Sequence, residues 1–171
     1  MSGLYWVDGP WPGKLAISAR PRGGDWLDDE VSAWSRDGFH TIVSLLTSDE
    51  ERELSLESES SAARAHGMGF VSVPIPDRQV PSPASKIHSS LQELDRTLAS
   101  GKNVLVHCRQ GIGRSGLFVA SLLINRGWSS QAAMKELSAL RGTRVPETPE
   151  QEKWIEQYAA KVLPQLKVGS R

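Results

Sequence analysis

The sequence has a single cysteine, Cys108, among its 171 residues. One cysteine excludes an internal disulfide framework of the kind that stabilises small secreted domains. It also favours a reducing compartment, because a free thiol persists there. We therefore expect a cytoplasmic protein.

Long apolar runs and an excess of charge of one sign are also missing. The longest apolar run, Leu117–Ile124, is far too short to cross a bilayer, and residues 1–6 lack the basic and apolar stretches of a secretory signal. Twenty Lys and Arg residues balance twenty Asp and Glu residues. This balance gives no sign of a surface for nucleic acid or membranes, so we expect neither as a partner.

The pattern of apolar residues predicts one globular α/β domain over residues 1–171, which we expect to be a monomer. Short β-branched strands alternate with helical periodicity, and this alternation is typical of a central, mostly parallel sheet flanked by helices on both faces. The predicted strands are Leu15–Ala19, Thr41–Leu46, Phe70–Val73 and Asn103–His107, and the predicted helices are Trp26–Arg36, 49–66, 82–98, Ser115–Arg126, Ser130–Leu140 and Pro149–Val162.

The sequence also predicts the place of the first strand, the cap of the first helix and the exposure of an acidic run. The strand Leu15–Ala19 is expected at the sheet edge, and Asp25 is expected to cap the first helix. The run from Asp49 to Glu59 holds six acidic residues and one arginine. Such a run is usually a solvated helix face, although it is also suited to a basic partner.

The segment from His107 to Gly116 (HCRQGIGRSG) carries most of the chemical information. It joins a predicted strand to an apolar helix, and Gly111 and Gly113 allow backbone angles that a Cβ forbids. Such a turn directs successive N–H groups inward as an anion-binding nest, to which the helix N-terminus adds its partial charge. The predicted phosphate ligands are the residues Arg109, Gln110, Gly111, Ile112, Gly113 and Arg114.

Cys108 is the candidate nucleophile at the start of this turn. The nucleophile is the thiolate rather than the thiol. Cationic neighbours and a helix N-terminus lower the pKa of a thiol and so favour the thiolate. Arg114 offers paired donors to two phosphoryl oxygens, a geometry that lysine does not supply. Ser115 adds a hydroxyl that we expect beside the sulfur, where it stabilises the departing thiolate.

Two other interpretations of the same residues compete with this one. A cysteine after a core strand is often a buried structural thiol, but here an arginine and two glycines have the spacing of an oxyanion site. A nucleotide-binding P-loop requires a lysine where this turn has Arg114.

The motif Cys-x5-Arg-Ser, preceded by His, is similar to the signature of cysteine-dependent protein tyrosine phosphatases. The form HCRQGIGRSG resembles the small dual-specificity branch, and the resemblance extends from about Ile42 to Tyr158. It implies the fold of those phosphatases, a phosphocysteine intermediate, no metal or other cofactor, and an acidic residue on a separate loop. Lysines within the loop, which accompany a preference for inositol phospholipids, are absent.

The resemblance also implies roles for residues outside the loop. Asp77, in a proline-bounded segment after the strand Phe70–Val73, is expected to protonate the leaving oxygen and then activate water, with Asp49 as the fallback acid. His107 is expected to orient the loop through hydrogen bonds. For Gln151, a role in placing water competes with a capping box begun by Thr148, and we favour the cap.

These residues predict a phosphoric monoester hydrolase acting on phosphoprotein, with phosphotyrosine first and phosphoserine or phosphothreonine as further substrates. One alternative is a phosphatase for a phosphoinositide, a sugar phosphate or an RNA 5′ end. The other is a non-catalytic module that only binds phosphate.

Overall fold

The computed structural model describes residues 3–169, and of residues 167–169 it describes the backbone only. Met1, Ser2, Ser170 and Arg171, which the prediction of a single domain includes, lie outside the described residues. Among the described residues, no helix has both the length and the apolar character needed to span a membrane.

Within the part of the chain that the structure describes, five strands form one sheet in the order β1-β2-β5-β3-β4. The β1–β2 pair is antiparallel and the other three pairs are parallel, which confirms the predicted mostly parallel sheet. β5 occupies the centre, so the loop that follows it opens at the middle of the sheet. The strands are β1 Tyr5–Val7, β2 Leu15–Ser18, β3 Thr41–Ser44, β4 Gly69–Ser72 and β5 Val104–His107.

Over residues 3–169, seven α-helices connect and cover the strands. They are α1 Leu27–Arg36, α2 Ser48–Glu53, α3 Glu59–Ala65, α4 His88–Ala99, α5 Gly113–Ile124, α6 Ser130–Arg141 and α7 Pro149–Gly169, with 3₁₀ turns at Gly24–Trp26 and Ala84–Ile87. One apolar cluster packs α4 to α7 against one face of the sheet, and a second packs α1 and α3 against the other face. The predicted helices on both faces are therefore confirmed.

β5 shows why both faces must be covered. Val104 and Val106 point into the first cluster, and Leu105 points into the second, because successive side chains of a strand alternate between faces. All three are fully buried. α5 is also buried along its whole length, which explains why its sequence is apolar on nearly every side.

Several local predictions were wrong. Leu15–Ser18 lies inside the sheet between β1 and β5 rather than at its edge, because its residues are buried on both faces. Asp25 lies within the 3₁₀ turn and does not cap α1, whose N-cap is Trp26. α7 continues past Pro164 to Gly169, beyond its predicted end at Val162, although a proline inside a helix removes a backbone hydrogen bond.

The acidic run 49–59 is not one solvated helix either. The chain leaves helical geometry after Glu53, and Ser55 adopts a left-handed φ of 57° before α3 begins at Glu59. Two of the acidic side chains, Glu50 in α2 and Glu59 at the start of α3, are buried in the protein.

Candidate active site

The site is built where β5 ends and α5 begins. Cys108 follows β5 directly and is only 2% exposed. The backbone N–H of Gly111 donates a hydrogen bond to Cys108 Sγ over 3.2 Å. α5 begins at Gly113, so its N-terminus is five residues from the sulfur and Arg114 belongs to its first turn. We call residues 108–114 the Cys–Arg loop.

Both glycines of the Cys–Arg loop lie close to neighbouring segments, and at Gly111, which faces backbone and has a positive φ, the approach requires glycine. Gly111 has a φ of 75°, and a Cβ there would lie 2.7 Å from the carbonyl oxygen of Ser18. A Cβ on Gly113 would lie 2.9 Å from both Gln151 Oε1 and Glu147 Oε1. The loop therefore fits between β2 on one side and the start of α7 on the other.

The side chain of Arg114 is only 1% exposed, and several acceptors hold its guanidinium group. Nη1 donates to Glu50 Oε1 over 2.6 Å and Nη2 donates to Glu50 Oε2 over 2.9 Å, a bidentate pair. Nη1 also donates to the carbonyl oxygen of Ile75 over 2.7 Å. These contacts fix the plane of the guanidinium group.

The pair also sets the charge of both partners. Burial raises the pKa of Glu50, but the hydrogen bonds from Arg114 and Thr47 outweigh it, so the pKa lies below its ordinary value. Burial lowers the pKa of Arg114, and the hydrogen bonds to Glu50 and the charges of Cys108 and Asp77 raise it by more. Both groups are therefore ionised at neutral pH.

Asp77 lies beside Arg114, with Oδ1 3.1 Å from Nη2. Its carboxylate is about half exposed, at 48%. The loop that carries it is tied by two contacts to the first turn of α7 and the residues just before that helix. Arg78 Nη1 lies 3.0 Å from Glu147 Oε2, and Gln151 Nε2 donates to the carbonyl oxygen of Gln79 over 3.0 Å.

The fallback acid, Asp49, lies elsewhere. Its carboxylate is 88% exposed and pairs with Arg52 on the surface of α2. Asp49 is not among the residues that line the cavity around Cys108. The structure therefore brings Asp77, and not Asp49, to the candidate nucleophile.

His107 lies beneath the Cys–Arg loop and makes a buried pair. Its Nε2 is 2.6 Å from Glu59 Oε2, and both side chains are fully buried. Its ring also lies 5.9 Å from that of Trp34, and its Nδ1 is 3.3 Å from the carbonyl oxygen of Cys108. The imidazole is thus fixed on several sides, as its predicted role in orienting the loop requires.

Ser115 lies in different surroundings from those predicted, whereas Gln151 makes the capping box that the sequence favoured. Ser115 Oγ is buried, and no hydrogen bond joins it to Cys108 or to any other described residue. Gln151 Oε1 accepts from the backbone N–H groups of Glu147 and Thr148, and Thr148 Oγ1 accepts from the N–H of Gln151. The hydrogen bonds of the cap are therefore present, and they engage the Gln151 amide.

The catalytic candidates surround one small cavity of about 30 Å³. The side chain of Ile112 instead packs against the apolar core, and of the predicted phosphate ligands Gly111 and Ile112 are not among the residues that line the cavity. No group of three or more metal-binding side chains occurs among residues 3–169. The cavity is lined by Asp77, Cys108, Arg109, Gln110, Gly113, Arg114 and Glu147.

Sequence reasoning missed three acidic residues of this site. Glu50 was part of a run interpreted as solvated, although its capping box with Thr47 was a signal that its carboxylate folds back. Glu59 belonged to the same run. Glu147 lies 39 residues after Cys108, and nothing in its surrounding sequence indicated that it lines the cavity.

A family model matches residues 18–128, about two thirds of the chain. Its description is "Tc-R-P: Polymorphic toxin system, DSP-PTPase phosphatase". The chain belongs to the dual-specificity phosphatase branch of the cysteine-dependent tyrosine phosphatases. The matched residues include Asp77 and the whole Cys–Arg loop, but not Glu147 or Gln151.

Curated relatives of this dual-specificity phosphatase include cyclin-dependent kinase inhibitor 3. The pig protein (Sus scrofa) is 34% identical over 95 residues, and the rat protein (Rattus norvegicus) is 32% identical over 95 residues. Each match covers 54% of this chain and 44% of the relative. The chain thus spans less than half the length of the curated relatives it matches.

Solved structures show the same dual-specificity phosphatase fold. Kinase associated phosphatase, with serine in place of its catalytic-site cysteine, has a TM-score of 0.84 at 21% identity, covering 93% of this chain and 94% of that one. Tk-PTP in its active form has a TM-score of 0.78 at 26% identity, covering 94% and 98%. PTPMT1 in complex with PI(5)P has a TM-score of 0.77 at 19% identity, covering 96% and 99%.

Proposed function

We propose that this protein hydrolyses phosphate monoesters on phosphoproteins through a phosphocysteine intermediate, with Cys108 as nucleophile and Asp77 as acid. The observation that carries the proposal is one cavity bounded by a thiol, a fixed guanidinium and a carboxylate. The family to which the chain belongs supports the same chemistry.

In the first step, the ionised sulfur of Cys108 attacks phosphorus and a sulfur–phosphorus bond forms. The bond from phosphorus to the substrate oxygen breaks, and that oxygen takes the proton of the Asp77 carboxyl group as it leaves. The equatorial oxygens are bound by the amides of the Cys–Arg loop and by Arg114. Because Glu50 and Ile75 hold the guanidinium beforehand, it need not reorganise when charge develops.

In the second step, water attacks the phosphocysteine. Asp77, now a carboxylate, accepts a proton from that water as the new phosphorus–oxygen bond forms. The sulfur–phosphorus bond breaks, and Cys108 leaves as the thiolate that the Gly111 N–H stabilises. Inorganic phosphate is released, and both residues return to their starting states without a metal ion.

The walls of the cavity favour more than one phosphoamino acid. Every residue that lines the cavity in the described chain is a glycine or carries a polar or charged group, and none is aromatic. Such a cavity recognises the phosphoryl group and gives no apolar wall to a phenyl ring. We therefore propose phosphotyrosine together with phosphoserine and phosphothreonine as substrates.

The setting that we propose is the cytoplasm, where the unpaired thiol of Cys108 stays reduced. The partner is a phosphoprotein or phosphopeptide, and the protein acts as a monomer. Locating the tagged protein in cells tests the proposed cytoplasmic setting. Measuring its mass in solution tests whether it is a monomer.

Turnover of an aryl phosphate in the presence of a metal chelator tests the enzymatic proposal. We expect steady release of phosphate from the unaltered protein and none from the Cys108→Ser variant, which should still bind phosphate. A rapid acid quench should trap one PO₃ group on Cys108, detectable by mass. Label on another residue, or undiminished turnover by the serine variant, would refute the mechanism.

The acid and the substrate class need separate experiments. Asp77→Asn should slow esters with poor leaving groups far more than activated aryl esters, because only the former need a proton. A panel of phosphotyrosine and phosphothreonine peptides, an inositol phospholipid, a sugar phosphate and a 5′-phosphorylated RNA tests the class. Preference for a non-protein ester would overturn the phosphoprotein proposal, and binding without turnover would leave a phosphate-binding module.

A further inference from the structure

Arg141, the last residue of α6, contacts the Cys–Arg loop through two backbone carbonyl oxygens. Its Nε donates to the carbonyl oxygen of Gly111 over 2.9 Å. Its Nη2 donates to the carbonyl oxygen of Gln110 over 3.1 Å. Arg141 is not among the residues that line the cavity, so it does not meet the phosphate.

The second of these hydrogen bonds, to the Gln110 carbonyl, engages the same peptide group that binds the sulfur, and the first engages the next peptide, Gly111–Ile112. The carbonyl of Gln110 and the N–H of Gly111 belong to one planar peptide, and the trans geometry makes them point in opposite directions. That N–H donates to Cys108 Sγ over 3.2 Å. A continuous path therefore runs from the guanidinium of Arg141, through one peptide, to the sulfur.

Such a path changes both geometry and charge. A donor on the carbonyl fixes the rotation of the peptide, which keeps its N–H directed at Cys108 Sγ. It also polarises the peptide, since hydrogen bonds in a chain strengthen one another. The N–H then stabilises a sulfur anion, or a phosphoryl oxygen, better than it would with a free carbonyl.

Tyr5 holds the guanidinium in the plane that this contact needs. The central carbon of the Arg141 guanidinium lies 3.8 Å from the centre of the Tyr5 ring. Arginine stacks flat on an aromatic face, and its fork reaches two carbonyls at once, which lysine does not do. The edge strand β1 and the end of α6 are thereby joined to the Cys–Arg loop.

We propose that Arg141 is a positioning residue that holds the Gln110–Gly111 peptide with its N–H toward Cys108 Sγ. It thereby favours the Cys108 thiolate and tightens oxyanion binding. This inference rests on the proposed function, because it assigns a role within that site, but it concerns thiol ionisation and anion binding rather than turnover.

The test compares Arg141→Met with Arg144→Met. The second is a matched control, because Arg144 lies three residues further on and its 75% exposed side chain pairs with Glu152 on the surface. The first readout is the pH dependence of Cys108 alkylation by iodoacetamide. The second is the affinity for inorganic phosphate, measured by protection against that alkylation.

For Arg141→Met we expect the midpoint of the alkylation profile to move upward by about half to one pH unit. Phosphate affinity should fall by about threefold to tenfold, the range that one hydrogen bond controls. The control should match the unaltered protein in both. Asp77, Arg114, Glu147 and the buried His107–Glu59 pair, which also face the thiol or its loop, are the same in both variants.

Two further variants separate positioning from folding. Arg141→Lys keeps a charge but not the fork and should recover part of the shift, whereas Tyr5→Phe keeps the ring face and should behave as the unaltered protein. If Arg141→Met does not fold, Tyr5→Leu should show the same upward shift in smaller measure. An unchanged alkylation midpoint and phosphate affinity, even with a lower Tm, would overturn the proposal.

Failure of the proposed function gives a different result. In that case the unaltered protein would not turn over any ester of the panel, while the alkylation midpoint would still differ between Arg141→Met and Arg144→Met. The two ideas can therefore fail separately.

Discussion

Replacing Glu50 with glutamine should destabilise the fold strongly, although the two side chains have nearly the same shape. Glu50 is the buried anion that pairs with Arg114 through both of its oxygens. In Glu50→Gln, one oxygen still accepts from the guanidinium, but the other becomes an NH₂ group facing a second donor. Arg114 would keep Ile75 O and the half-exposed Asp77 as its other acceptors.

The size of the effect follows from burial. Breaking a buried ion pair by removing one partner costs about 3–5 kcal/mol, and the retained acceptors place this case near the lower end, at about 3 kcal/mol. This corresponds to a factor of roughly 100 or more in the ratio of folded to unfolded protein. For a chain of this size, each kcal/mol lowers Tm by roughly 2–4 °C, so we expect a fall of about 6–12 °C.

Denaturant and thermal unfolding at neutral pH measure the loss. Glu53→Gln is the matched control on the same helix, because its 64% exposed carboxylate lies 3.4 Å from Arg109 at the surface. An exposed pair of this kind contributes about 0–1 kcal/mol, so the control should stay close to the unaltered protein. A loss of less than 1 kcal/mol for Glu50→Gln would refute the reasoning.

Three other predictions concern the site and its surroundings. Gly111→Ala should weaken phosphate binding at least tenfold, because its φ of 75° and a Cβ 2.7 Å from Ser18 O force the loop to move; binding is measured by protection of the thiol from alkylation. Arg78→Met should lower kcat several-fold for esters with poor leaving groups, because the 3.0 Å pair of Arg78 with Glu147 ties down the loop that carries Asp77. The free energy of unfolding should change by less than about 0.5 kcal/mol, because that pair is exposed. Steady-state kinetics and thermal unfolding together check this. The pKa of Glu50 lies below its ordinary value of 4.5, so its contribution to stability is present above that pH and is lost as the pH falls through the lower folded-state value. Acid titrations of unfolding should therefore be steeper for the unaltered protein than for Glu50→Gln.

The strand–loop–helix unit was predictable because its parts are contiguous. An apolar strand, two glycines, an arginine and an apolar helix lie within about twenty residues, and local geometry alone directs them toward one point. The amphipathic helices were predictable for a similar reason. Ile87, Leu91, Leu94 and Leu98 recur at the helical period, and all four are buried.

The strand positions show where local pattern stops being informative. The sequence indicates that Leu15–Ser18 is a strand, but its place inside the sheet depends on the short β1 pairing with its other side. A three-residue strand has too few alternating positions to be recognised from periodicity.

The sequence by itself determined the chemistry of the Cys–Arg loop and the α/β arrangement that presents it at the centre of a sheet. Tertiary structure alone decided which distant groups complete the site. Glu50, Glu59, Glu147 and Arg141 lie 33 to 58 residues from Cys108 along the chain, in segments that read as surface. They reach the loop only because the packing of the chain turns them inward. Because Glu50, Glu59 and Arg114 are buried, their ion pairs and hydrogen bonds are stronger than they would be in water. Contacts between distant segments follow from the packing of the whole chain, which no local spacing of residues encodes.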